Sequence, residues 1–312
     1  MGIGRREFLA VGAMALAGAA AQAGAETAEP KRPAGKGRIL FGACRPPSDA
    51  GLLKSVGYDF IEGNVSQLLV PDKDEEKWKR KRDEILSCGL PLRSCLSFIP
   101  GKMRLTGPNA DWEPALEYAE IACRRADEVG TKTIVLGSGG ARNVPAGFNA
   151  TGRKDWPKGF GPEEGRDQFA GFCAELAKRI AGCKVVVVIE PLRPNESNIV
   201  NYVWQGMQIV RDVNSPRLEQ LADIFHMISG RECARSIEEA GCHLKHCHIA
   251  CKGTRQFPGT RPDDAEIFKP YFDALKKIGY AGGISCECGW PKDRAKFEKA
   301  LDTALALMKS LA

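Results

Sequence analysis

Val185-Val186-Val187-Val188-Ile189-Glu190 is a run of five β-branched residues closed by a carboxylate. It lies between two stretches, residues 166–180 and 203–213, whose apolar positions recur at helical spacing. A short β-branched run set between helices reads as a strand of a parallel sheet, because a parallel crossover needs a helix to carry the chain back. Seven further β-type runs stand at 39–44, 58–63, 92–98, 133–137, 221–225, 244–249 and 283–286. Helical runs at 75–87, 114–129, 231–240, 265–278 and 293–311 separate or follow them. Gly89, Gly130, Gly241 and Gly279 stand where helices should end in a left-handed cap. Eight β/α repeats with short returns predict a closed (β/α)8 barrel, a TIM barrel forming a single domain over residues 36–312. An open doubly wound sheet is the alternative. Its phosphate-binding spacing is missing, since Gly137-Ser138-Gly139-Gly140 does not match G-x-G-x-x-G.

Residues 1–30 stand apart from this pattern as a leader and linker. Gly4-Arg5-Arg6-Glu7-Phe8-Leu9 precedes a small, apolar stretch at 10–21, and Ala-x-Ala sites lie near Ala23 and Ala25. The paired arginines with Phe8 and Leu9 resemble a twin-arginine export signal, which implies the twin-arginine machinery as a partner and a periplasmic destination. The apolar stretch is too short and too rich in Ala and Gly to span a bilayer, so no stable membrane insertion is expected.

Bulk properties narrow the function classes. The net charge is +6, and the densest basic run, Lys77-Trp78-Lys79-Arg80-Lys81-Arg82, is interleaved with acidic neighbours from Asp72 to Glu84. That pattern is a solvated helix face rather than a nucleic-acid patch. Twelve cysteines in an exported chain suggest disulfides, but Cys247, Cys286 and Cys288 alternate with His246, His248 and Glu287. Strand alternation turns these thiols away, as small hydrophobes between strand and helix.

The chemistry gathers at strand ends. All four histidines, His226, His243, His246 and His248, fall in one short stretch, with Glu190 and Asp223 before His248 and Glu287 after it. Glu190, Asp223, His248 and Glu287 stand at or near the C-terminal ends of the fifth to eighth strands, where barrel active sites lie. Three carboxylates and an imidazole suit a catalytic divalent ion better than a structural zinc. Such an ion offsets by several kcal/mol the charge that develops when a proton leaves carbon beside a carbonyl. His243 and His246 read as scaffold.

These motifs resemble the xylose-isomerase-like barrel superfamily of sugar isomerases and epimerases. Glu190-Pro191-Leu192 with Glu196 is similar to the E-P-L-x-x-x-E segment of ketose 3-epimerases of the D-tagatose 3-epimerase type, Asp223 to Met227 to their D-x-F-H-M, and His246-Cys247-His248 to their H-x-H. Ser285-Cys286-Glu287 takes the place of the final glutamate. The resemblance implies Glu190, Asp223, His248 and Glu287 as metal ligands, and Mn²⁺ as the expected ion with Mg²⁺, Co²⁺ or Zn²⁺ as alternatives. It implies Glu190 and Glu287 as the acid/base pair, and His226, Glu196 and Arg255 as contacts to a sugar or polyol. Arg255 lies seven residues after His248, against six in the pattern, and Lys252 is a substitute. Glu62 and Arg142, at the ends of the second and fourth strands, are further candidates for substrate contact or for loop ion pairs.

The expectation is therefore a metal-dependent ketose epimerase or isomerase, with no nucleic-acid partner and with a homo-oligomer compatible. A lyase or hydratase on a keto-sugar, keto-inositol or related polyol is the alternative from the same site. A non-catalytic sugar-binding barrel and an endonuclease IV-like nuclease complete the set. The nuclease needs histidines at early strand ends, where this chain has Ser97-Phe98 and Gly137-Ser138.

Overall fold

The computed structural model describes residues 37–144 and 161–312. The leader expected at residues 1–30 lies outside the described residues. Eight parallel strands close on themselves in sequence order: β1 Leu40–Cys44, β2 Phe60–Asn64, β3 Leu92–Leu96, β4 Thr133–Leu136, β5 Val186–Ile189, β6 Leu218–Asp223, β7 Leu244–Ile249 and β8 Gly283–Cys286. Closure is seen in β1, which pairs with β2 through Cys44 and Glu62 and with β8 through Gly42 and Ser285. The expected barrel is the observed one.

Alternation within each strand divides two cores. Inward-facing Val135, Val188 and Leu221 form a small apolar cluster in the barrel. Outward-facing Val187, Ile189, Cys247, Ile284 and Cys286 join the larger cluster beneath the helices. Helix Pro162–Arg179 shows how a helix earns its place there: Phe169, Phe172, Cys173 and Leu176 are buried at helical spacing. Each buried Phe or Leu of this kind contributes roughly 1.5–3 kcal/mol. The helix starts four residues before the expected Arg166, because Pro162 occupies its first turn and Glu164 accepts from the Gly161 amide at 2.7 Å.

Other departures have local causes. No helix was expected between the first two strands, yet Ala50–Val56 is helical, with Leu53 buried and Gly57 closing it at φ 103°. The sixth strand runs 218–223 rather than 221–225, because Asp223 ends it as a cap. Asp223 Oδ1 accepts from the Phe225 amide at 2.7 Å and the His226 amide at 3.3 Å, which starts helix Ile224–Ser229. Arg231 then takes φ 55°, so the helix expected from 231 begins only at Arg235.

The basic run lies on helix Glu75–Ser87, with Lys81 paired to Glu84 at 2.7 Å and Trp78 turned into the core. All twelve cysteines are free, and Cys247 and Cys286 pack in the layer between strands and helices as expected. Burial pushes the Cys247 thiol up to about 12, in keeping with its place as a small hydrophobe facing away from the barrel interior. No helix of the described residues is long and apolar enough to cross a membrane.

Candidate active site

Four strand ends deliver Glu190, Asp223, His248 and Glu287 to one point. One donor atom from each lies within 4.8 Å of the others. The register explains the meeting: Asp223 pairs with His248 across β6 and β7, and His248 with Ser285 across β7 and β8. Glu190 and Glu287 each follow the last residue of their strand on the inward side. His248 Nδ1 lies 3.0 Å from Glu190 Oε1 and 3.5 Å from Glu287 Oε2. These four are the residues expected as metal ligands.

Their donor chemistry fits a divalent ion of the Mn²⁺, Mg²⁺, Co²⁺ or Zn²⁺ type. Three carboxylates and one imidazole hold more negative charge than buried positions tolerate without a cation. Burial acts against a charged His248, yet Glu62, Glu190 and Glu287 hold its value well above the ordinary imidazole value, so an imidazolium supplies part of the missing charge. The two glutamates are pushed apart. Burial raises Glu190, opposed by His248 and reinforced by Glu287 and Asp223. Burial also acts on Glu287, but His248 and Arg255 outweigh it and hold that carboxylate down to about 2.

Glu62 corrects one expectation. Both its oxygens are taken by neighbouring side chains at the inner wall of the barrel, so it stands as a positioning residue in place of the direct substrate contact read from the sequence. It accepts instead from Ser94 Oγ at 3.0 Å and lies 2.9 Å from His246 Nε2 and 3.1 Å from His248 Nε2. A hydrogen on His248 Nε2 directed at Glu62 makes Nδ1, which faces Glu190 and Glu287, the nitrogen that would give up its proton to an ion, and so fixes the tautomer a metal ligand needs. Cys44 also approaches Glu62 and His248, but the Glu62 and His248 atoms are already bonded to each other. Glu62→Gln therefore weakens Mn²⁺ binding about 10–100-fold with the fold retained. Isothermal titration with Mn²⁺ checks this, and an unchanged affinity refutes the orienting role.

Arg142 corrects another. Its guanidinium is buried and donates to the carbonyls of Leu136 at 3.3 Å, Glu190 at 3.0 Å and Val200 at 3.2 Å, and to Ser197 Oγ at 3.1 Å. It is neither a substrate contact nor a loop ion pair; it ties the end of β4 to the end of β5.

His226, Glu196 and Arg255, the residues expected as substrate contacts, stand beside the cluster. Arg255 reaches it despite its shifted spacing, by adopting φ 53° and bridging Glu196 Oε1 at 2.9 Å and Glu287 Oε2 at 2.6 Å. Lys252 is exposed and does not replace it. The Arg193 amide donates to His226 Nδ1 at 3.4 Å, so the neutral ring carries its proton on Nε2. Buried Nε2 lies 3.4 Å from Asp223 Oδ2 and 3.8 Å from Glu196 Oε2, yet makes no hydrogen bond. A buried donor without a partner is costly, and a substrate oxygen would satisfy it. His243 pairs with Glu219 at 2.8 Å and His246 with Glu62, both as scaffold.

One contributor went unread in the sequence. A Cβ on Gly137 would fall 2.2 Å from Glu190 Oε2, and one on Gly139 2.2 Å from the Glu196 carbonyl. The glycine-rich run that fails as a phosphate loop is what lets the glutamate segment lie against β4. A glycine just after a strand whose neighbour ends in Glu190 was the available signal.

A family model described as xylose isomerase-like TIM barrel matches residues 50–311. A Synechocystis sp. protein named a probable ketose 3-epimerase is 27% identical over 201 residues, covering 64% of each chain. L-ribulose 3-epimerase of Mesorhizobium japonicum is 33% identical over 126 residues, 39% of this chain and 41% of that one. The chain thus spans under two thirds of the length of either relative. D-psicose 3-epimerase from Clostridium cellulolyticum superposes with a TM-score of 0.70 at 16% identity, over 88% of this chain and 99% of that one. The E. coli 3-keto-D-glucoside 4-epimerase gives 0.68 at 18%, over 88% and 100%.

Proposed function

The chain belongs to the xylose isomerase-like TIM barrel family, and from that membership we propose that it is a metal-dependent ketose epimerase or isomerase. The observation that carries the reading is the convergence of Glu190, Asp223, His248 and Glu287 within 4.8 Å, beneath an unpartnered His226 Nε2. These four residues would hold one divalent ion, Mn²⁺ by preference. When bound, it would polarise a substrate carbonyl and offset the charge of an enediolate by several kcal/mol.

The chain's own groups do the rest. Glu287 and Glu190 come from strands β8 and β5 to the same point, and as the acid/base pair one takes a proton from carbon beside the carbonyl. The other holds a proton and returns it. Delivery to the opposite face of the same carbon inverts it, and delivery along one face to the neighbouring carbon of the enediolate isomerises the sugar. His226 Nε2 donates to a substrate oxygen, and Arg255 and Glu196 fix neighbouring hydroxyls. Names of the relatives support a ketose as substrate.

Incubating the Mn²⁺-supplemented protein with D-psicose and with L-ribulose in D₂O tests this. Deuterium at carbon 3 with appearance of the epimer is the expected result. An elimination product, or no exchange with either sugar, sinks it.

We also propose that residues 1–30 export the chain through the twin-arginine route. Arg5→Lys with Arg6→Lys then retains the protein in the cytoplasm, as cell fractionation would report. Unaltered periplasmic recovery would remove the twin-arginine assignment.

A further inference from the structure

Two cavities open at the catalytic end of the barrel, of about 400 Å³ and 330 Å³, and Leu96 and Glu287 line both. The larger holds Glu190, Glu196 and Arg255, the groups assigned above to the reacting sugar. The smaller lies on the other side of Glu287, at the ends of β1, β2 and β8, with Glu62 at its inner wall and Cys44, Asn64, Gln67 and Cys288 among its other lining residues. Cys44, Asn64, Gln67 and Cys288 have no part in the proposed reaction. A single hexose occupies on the order of 200 Å³ at the packing density of organic solids, so the larger cavity alone is sufficient for a free ketose. We propose that the smaller cavity binds a second, neutral polyhydroxy unit, so that the substrate is a keto-sugar carrying a glycosidic substituent. This rests on the epimerase or isomerase reading of the adjoining site.

Loop lengths favour an extended substrate on this side. After β1 only Arg45 and Pro46 precede the single turn Pro47–Asp49, and β2 runs directly into the short helix Val65–Leu68. After β3, by contrast, no α-helix begins until Glu113. The rim is therefore low beside β1 and β2, which gives a substituent a way out to solvent.

Lining chemistry selects the kind of substituent. The cation there, Arg45, is committed to Asp49 at 2.7 Å and stacks 4.6 Å from the centre of the Phe297 ring. It is poorly placed to hold a phosphate. Asn64 and Gln67 touch each other only weakly, Nδ2 to Oε1 at 3.4 Å, and Gln67 is exposed. Two amides with spare donors and acceptors match hydroxyl groups, which both donate and accept. Cys44 and Cys288 add small, polarisable surface of the kind a sugar's C–H face packs on.

Calorimetry on the Mn²⁺-supplemented full chain, with D-fructose and with lactulose, a fructose bearing a galactosyl unit at O4, tests the proposal. The wild type binds lactulose about tenfold more tightly than fructose. Gln67→Trp, a change at an exposed position, fills the cavity and removes that preference while leaving fructose affinity unchanged. Asn64→Ala lowers lactulose affinity and spares fructose. Lactulose binding no tighter than fructose in the wild type, or a preference that survives Gln67→Trp, overturns the second unit. Deuterium exchange at carbon 3 of fructose reads the reaction separately: exchange without a disaccharide preference leaves the reaction and removes the second unit, and a preference without exchange does the reverse.

Discussion

Glu287→Gln abolishes turnover, by about 10³-fold or more in kcat, while the barrel stays folded. The change keeps the shape of the side chain and removes its charge and its capacity to take a proton. General base catalysis alone accounts for about 10²–10⁴-fold. The second loss is to the ion, since one of three carboxylates in the cluster becomes a neutral amide. Arg255 then loses the charged partner it holds at 2.6 Å and keeps only Glu196. Elemental analysis at saturating Mn²⁺ separates the two causes: a variant that still carries metal but does not turn over has lost the proton transfer. Glu287→Asp, with the charge kept and the reach shortened, recovers metal before it recovers rate. Turnover of Glu287→Gln within fivefold of wild type at full metal occupancy would remove Glu287 from the chemistry.

The part of this site that follows strand periodicity was legible in the sequence. Val186, Val188 and Glu190 share a face because strand side chains alternate, and so do His246 and His248. Once eight strands were counted, the order of a barrel made the last four strand ends neighbours. What stayed hidden depends on closure. Glu62 meets His246 and His248 across 184 and 186 residues, and β2 is not adjacent to β7 in the sheet. Only the inward pointing of both strands into one narrow interior brings them together, and no local pattern encodes that distance. The role of Asp223 as a cap was obscured because Ile224 and Phe225 continue the apolar run that the strand began. Helix Ala50–Val56 carried its own signal, Leu52, Leu53 and Val56 ahead of Gly57, but at seven residues it is too short for periodicity to separate from a loop.

Arg142→Met destabilises the protein by about 3–5 kcal/mol, the range for stripping a buried charged group from its partners. Few positions should cost more. Methionine approximates the length of the side chain and its contact with Phe169, over which the guanidinium lies at 5.3 Å. It supplies no donors, so the carbonyls of Leu136, Glu190 and Val200 and the Ser197 hydroxyl each lose one. Burial draws the guanidinium down to about 10, an effect the nearby Glu190 charge only partly opposes, which shows how far the group is from water. Arg142→Lys recovers part of the loss, because one ammonium cannot reach four acceptors spread over two strand ends and a loop. The urea midpoint measures the stability, and Mn²⁺ titration measures a consequence at a distance. Arg142 touches no ligand atom of the cluster but holds the backbone of Glu190, so freeing it lowers metal affinity along with stability. A variant that unfolds within about 1 kcal/mol of wild type would mean that water replaces the guanidinium without loss. In that event the 3.0 Å contact of Glu190 Oε1 with His248 Nδ1 and the Glu190 amide's bond to the Leu136 carbonyl would be what holds this glutamate in place.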